Sequence, residues 1–195
     1  MTNSFGVQLH QESPPEWVRT AVEDFPSFLV DHAACERKAS TTGMMFVVRY
    51  PDRTRLVETM IALAREELMH FHQVWRLLTK RGLFLKGDEK NEYVNSLLKN
   101  ERHQNDYGLL DRLLIFGLVE ARGCERFGLM GRYHPEPEMK EFYSSLAEAE
   151  KRHHEIFVEL ACEYFPQDLV QSRLHDLATI EAELIRTMPV RAAVH

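Results

Sequence analysis

Helical periodicity runs through almost the whole chain and is broken at only a few proline-marked points. Strand signals are nearly absent. The spacing predicts a short lead-in helix over 15–24 and long helices over 27–49 and 53–81, separated by Tyr50-Pro51-Asp52. Asp52 is the expected N-cap of the second, and Gly82 its left-handed stop. A longer connection over 82–102 carries a short helix near 92–100. A third long helix is expected over 104–132, a break at Tyr133-His134-Pro135-Glu136-Pro137, and a fourth over 137–164. A fifth follows over 169–187, opened by a capping box at Asp168 and Gln171, with a stripe of Val170, Leu174, Leu177, Leu184 and Met188. The tail after Pro189 is expected to fray.

Two helical hairpins joined by a crossover, plus one extra helix, are an all-α four-helix bundle layout. At 195 residues the chain is read as a single domain, 1–195, with a lead-in at 1–24 and a tail at 189–195. The longest apolar run, Leu113 to Val119, is too short to span a bilayer, and the N-terminus lacks the pattern of a secretory signal. Three scattered cysteines exclude a disulfide framework and a thiolate zinc site, and a cytoplasmic location is expected. A net charge of −6 argues against coating nucleic acid over the whole surface, though not against a local basic patch.

Glu-x-x-His occurs twice, at Glu67–His70 and Glu150–His153, and this spacing puts both donors on one helix face. About one such pair is expected by chance in a chain with this much Glu and His. Position is the stronger signal. Glu36 and Glu67 lie equally far from Pro51-Asp52, and Glu120 and Glu150 equally far from Pro135. In an antiparallel hairpin such residues stand at the same height. Four carboxylates and two imidazoles would then converge from four helices, as in the dinuclear carboxylate site of ferritin-like bundles.

Cys-Glu-Arg recurs at 35–37 and 124–126, and would nominate Glu125 instead of Glu120. Its register is off by about five residues, or about 7.5 Å, against the roughly 3.5–4 Å between paired metals. Glu120 is therefore preferred. Cys35 and Cys124 are read as small core residues, and Phe71, Trp75, Phe116 and Phe127 as core. His32, His72 and His154 are read as lying behind the ligands or at the surface, and Glu66 as solvated. Carboxylates with imidazoles accept Fe or Mn, and iron is preferred. No dinucleotide motif or four-cysteine set supplies a built-in reductase, so electrons would come from another protein.

The blocks DHAACERKAS, AREELMHFHQVW, FGLVEARGCERF and EAEKRHHEIF resemble the tRNA hydroxylase family MiaE over about residues 20–190. The resemblance implies a ferritin-like fold and a non-haem di-iron centre. It further implies O2-dependent hydroxylation of the isopentenyl group on a methylthio-isopentenyl-adenosine next to the anticodon of tRNA. On it, Glu36, Glu67, His70, Glu120, Glu150 and His153 fall on the iron ligands. The implied partners are tRNA and an external electron donor of ferredoxin or reductase type, with no membrane. The competing classes are another ferritin-like dinuclear enzyme (a peroxidase or manganese catalase) and a non-enzymatic iron-binding protein.

For RNA, Arg76, Lys80, Arg81 and Lys86 near the end of the second long helix are candidate contacts, with Arg132, Tyr133 and His134 at the second hairpin's tip. The glycines Gly117, Gly128 and Gly131 on the flank beside Glu120 allow two readings: close helix packing, or a channel for an apolar prenyl tail.

Overall fold

The computed structural model describes residues 6–87, 89–104 and 106–195. Among these residues there are eight helices and no strand. The first five residues of the lead-in, and Asn105 within the expected start of the third long helix, lie outside the described residues. No described helix is long and apolar enough to cross a membrane. The chain forms two compact units: one of residues up to Val18, Lys90–Val190 and His195, the other of Arg19–Glu89 and Arg191–Val194. Helix α1 (Pro15–Glu23) runs from the first into the second.

The Arg19–Glu89 unit is a helical hairpin of α2 (Phe25–Arg49) and α3 (Thr54–Lys80). The Asp24 carboxylate accepts from the Ser27 amide, and Pro26 sits in the first turn where its missing N–H costs nothing. The N-cap of α3 is Arg53, not Asp52, and no side chain caps it. The Arg53 amide closes the turn on Tyr50 O at 3.2 Å, which leaves Asp52 inside the turn. At the other end Gly82 adopts φ 68°, and Leu83 N bonds to Leu78 O at 2.9 Å, the Schellman arrangement. The helices pack closely at Gly43, where a Cβ would lie 3.0 Å from both Met60 O and Ala64 Cβ. Phe28, Leu29, Phe46, Leu56, Met60 and Val74 fill the interior.

The other unit holds α4 (Glu92–Leu98), α5 (Tyr107–Tyr133), α6 (Pro137–Glu150), α7 (His153–Tyr164) and α8 (Gln167–Thr187). The long helix expected over 137–164 is two helices. The hydrogen-bond ladder lapses at Lys151 and Arg152, whose backbone angles stay right-handed helical, so the chain keeps its direction. Such interrupted turns recur at functional sites. The expected capping box of α8 does not form. The helix starts at Gln167 with Pro166 as N-cap, so Asp168 already lies within its first turn. Its buried face runs Val170, Leu177, Ala178, Glu181, Ala182 and Ile185, rotated from the expected stripe.

The tail does not fray. In the Arg19–Glu89 unit, Ala193 and Val194 are buried and the Val194 amide donates to Asp31 Oδ2 at 2.7 Å. In the other unit the His195 ring stacks on Tyr93, centroids 5.3 Å apart.

Gly117 and Gly131 are packing glycines. A Cβ at Gly131 would come within 2.8 Å of Ser144 N, and one at Gly117 within 3.3 Å of Phe157 Cβ. Gly128 has nothing within 4 Å of such a Cβ, so the packing reading does not extend to it.

Candidate metal centre

Each unit presents two carboxylates and one imidazole. In the Arg19–Glu89 unit, α2 supplies Glu36 and α3 supplies Glu67 and His70, all buried. One donor atom from each lies within 4.8 Å of the others. Glu67 and His70 share a face by the i, i+3 spacing, with Nδ1 and Oε2 3.8 Å apart. Glu66 is exposed, as its place in the helical cycle requires. Behind Glu36 stands His32, fully buried, with Nε2 2.7 Å from Glu36 Oε1. Burial, with a smaller effect from His70, pushes the His32 pKa down to about 3, so the ring is neutral and donates one N–H to the carboxylate. No Glu-x-x-His frame marks His32. Its signal was the i, i+4 spacing to Glu36.

In the other unit Glu120 of α5 stands with Glu150 at the end of α6 and His153 at the start of α7. One donor atom from each again lies within 4.8 Å of the others. His153 Nδ1 and Glu150 Oε2 are 2.5 Å apart, so the lapse at Lys151 and Arg152 does not separate them. Burial first, and then the Glu150 charge, push the Cys124 thiol up to about 11, so it is not a thiolate. Cys35 is likewise pushed well up by burial and Asp31. Both cysteines are half-buried, short of the core placement expected.

Glu125, the competitor, turns the other way. It accepts from Ser13 N at 2.8 Å, Ser13 Oγ at 2.7 Å and Arg122 Nη1 at 3.0 Å. It therefore pins the N-terminal segment onto α5. Arg122 is fully buried and also donates to both Glu181 oxygens (2.8 and 3.0 Å) and to Gln11 O at 2.6 Å. The Tyr93 hydroxyl completes the Glu181 shell at 2.8 Å. No motif marks this network in the sequence, because an Arg at a buried helical position reads as surface.

The donor sets fit a metal of the expected kind. Oxygen and imidazole donors bind at about 2.0–2.2 Å, so donors on one ion lie up to about 4.4 Å apart, and each set's donors, within 4.8 Å of one another, come close to that span. Neither set includes a thiolate, which suits Fe or Mn over zinc. Two carboxylates to one imidazole, all buried except the half-buried Glu120, is also a charge balance that a cation completes.

Of the candidate RNA contacts, Arg76, Lys80, Arg81 and Lys86 are exposed on one unit, and Arg132 and Tyr133 on the other. His134 is 1% exposed, and its Nδ1 accepts from the Glu136 amide at 3.1 Å. It braces the α5–α6 turn and offers nothing to a ligand. Trp75, expected in the core, is exposed and stacks on His72, centroids 5.8 Å apart. His154, half-buried, accepts from the Val7 amide at 3.3 Å.

Residues 1–195 match the family described as tRNA-(MS[2]IO[6]A)-hydroxylase (MiaE). A Pseudomonas putida protein named tRNA 2-(methylsulfanyl)-N(6)-isopentenyladenosine(37) hydroxylase is 33% identical, over 90% of this chain and 85% of its own length. One of the same name from Salmonella typhimurium is 26% identical, over 91% of this chain and 83% of its own. A solved structure, Protein 43 with aldehyde deformylating oxygenase activity from Synechococcus, is similar over 94% of this chain and 92% of its own, with a TM-score of 0.90 and 34% identity. The fold is thus all-helical and of the ferritin-like class. With the whole length matched and 33% identity to the Pseudomonas protein over 90% of the chain, the chain belongs to the MiaE family.

Proposed function

We propose that this protein is an O2-dependent tRNA hydroxylase, acting on the isopentenyl group of a methylthio-isopentenyl-adenosine next to the anticodon. The observation that carries the reading is the pair of carboxylate–imidazole sets, Glu36/Glu67/His70 and Glu120/Glu150/His153, in a chain of this family. In this reading the two sets hold two irons of one dinuclear centre, which when bound supplies the redox chemistry that splits O2. The reaction balances as one C–H converted to C–OH and one water formed, with two electrons and two protons from outside.

The protein's own residues do the rest. Glu36 is held in one orientation by the His32 N–H, so its carboxylate is aimed before any metal arrives. Burial of Glu67, Glu150 and His153 keeps bulk water away from the oxidant and strengthens each charge interaction. The high thiol pKa of Cys124 keeps a competing ligand protonated. Arg132 and Tyr133, exposed at the end of α5, supply a phosphate contact and a ring for an unpaired loop base.

The test is incubation of iron-loaded protein with prenylated, methylthiolated tRNA, O2 and a chemical reductant, followed by nucleoside analysis. Gain of one oxygen on the modified adenosine is expected. An iron-loaded protein that leaves this nucleoside unchanged overturns the reading. The Synechococcus likeness favours a second substrate class, an aldehyde, and the same assay run with an aldehyde separates the two. Peroxide disproportionation without tRNA would point to a catalase or peroxidase, and iron uptake without turnover to a binding protein.

A further inference from the structure

The outward side of α3 carries the most exposed apolar surface in the Arg19–Glu89 unit. Leu68 is 55% exposed, Met69 57% and Trp75 41%. In the segment after the helix, Phe84 is 84% exposed and Leu85 44%. Leu68, Met69, Phe71, His72, Trp75 and Leu85 line one open groove of about 880 Å³. Large apolar side chains gathered in this way mark an interaction site.

The chain that runs on from the groove is cationic. From Leu68 to Gly87 the sequence contains no Asp or Glu, but has Arg76, Lys80, Arg81 and Lys86, all exposed. Arg65 lines the groove at its other margin beside Glu66, the one acidic residue among those lining it. This stretch stands out in a chain of net charge −6.

Position decides what the face serves. Leu68 and Met69 alternate in sequence with Glu67 and His70, which point to the buried side of the same helix. The patch is separated from these donors by one helix thickness, about 10 Å.

We propose that this face docks an acidic iron–sulfur electron carrier, which delivers the two electrons of each turnover one per encounter. The proposal rests on the hydroxylase reading, because it is the reduction of O2 to one water and one inserted hydroxyl oxygen that demands them. The carrier's cluster is oxidised by one electron in each encounter, and the dinuclear site gains it. An apolar centre flanked by charge is the anatomy of a small, transient protein interface. The basic residues were first candidates for RNA phosphates. The centre mixes the rings of Phe71, His72 and Trp75 with aliphatic Leu68, Met69 and Leu85, so tRNA is the rival occupant, and it is the short path to Glu67 and His70 that favours the carrier. A second copy of the chain is disfavoured because a two-fold contact here would set one cationic stretch against another.

The experiment uses an acidic [2Fe–2S] ferredoxin as the probe, with the full-length iron-loaded protein and two variants, Arg76→Glu/Lys86→Glu in the cationic stretch and Leu85→Asp at the centre. Ferredoxin affinity is measured at two salt concentrations, together with stopped-flow reduction of the iron. The parent protein is expected to bind ferredoxin more weakly as salt rises. Both variants should lose at least about tenfold in affinity and in ferredoxin-driven reduction rate, while reduction by dithionite and tRNA binding stay at the parent level. Absence of saturable ferredoxin binding to the parent, or variants reduced by ferredoxin at the parent rate, overturns the proposal. So does a loss of tRNA binding in the variants, which makes the face an RNA surface, or a change in sedimentation, which makes it a self-contact. Ferredoxin binding needs no tRNA, so a protein that binds and accepts electrons here but leaves the prenylated nucleoside unchanged removes the substrate reading alone.

Discussion

Glu120 and Glu125 are five positions apart on one helix and have opposite fates. One joins Glu150 and His153, and the other grips Ser13 and Arg122. Glu120→Ala is expected to cut iron content by half or more, as read by metal analysis. Glu125→Ala should keep its iron but melt earlier, losing about 1–3 kcal/mol as Ser13 and Arg122 each lose a partner. The opposite ranking in iron content would overturn the register argument. Asp111 gives a pH prediction. Burial raises its pKa, but the hydrogen bonds from Arg102 and Arg173, with the Arg102 amide, outweigh it and hold the carboxyl below 3.8. A depressed folded-state pKa adds stability that is present above the unfolded value and is lost as pH falls through the folded one. Asp111→Asn should therefore cost stability at neutral pH, with the gap to the parent narrowing only below about pH 3.8, read by urea unfolding. A gap that stays constant from pH 7 to pH 3 would show that its charge plays no part. At this scale the sequence disclosed the donors that recur in a pattern. It hid His32, Arg122 and Trp75, whose placement depends on what packs against them rather than on any motif.

The elements follow from the breaks. Prolines at 51 and 135 set two turns, and equal distance from each turn brings carboxylates level without further information. The lapse between Glu150 and His153 was not legible, because Lys151 and Arg152 are good helix formers and nothing local marks an interruption. The docked tail was hidden for a related reason: its anchor is Asp31, far away in sequence. Glycine spacing on α5 signalled close approach without saying to what. Gly131→Ala is expected to cost about 1–3 kcal/mol, since its new Cβ would crowd the backbone of Ser144. Gly128→Ala has open space there and should gain rather than lose, by up to about 1 kcal/mol from helix propensity. Thermal melts of the pair check this, and equal Tm shifts would contradict the packing account.

For the whole molecule, buried charge is the organising economy. The Arg122–Glu181 pair neutralises itself with paired hydrogen bonds, and the Asp111 charge is met by two guanidiniums, Arg102 and Arg173. The two donor sets are composed differently, with two carboxylates to one imidazole each. Such a composition favours the folded chain only as far as a cation satisfies it. Metal loading should therefore stabilise the fold by mass action, by about 4 kcal/mol when free metal exceeds its dissociation constant a thousandfold. Fe(II) and Mn(II) should both raise the melting temperature of chelator-treated protein. Mg(II) should do so far less, because it binds imidazole poorly. The variant Glu67→Gln separates specific binding from a general salt effect. It removes one buried charge, so the metal-free protein should melt no lower than the parent, yet most of the metal-dependent rise should vanish. If the variant gains as much from Fe(II) as the parent does, the metal is bound elsewhere, and Glu67 is in the interior for packing alone.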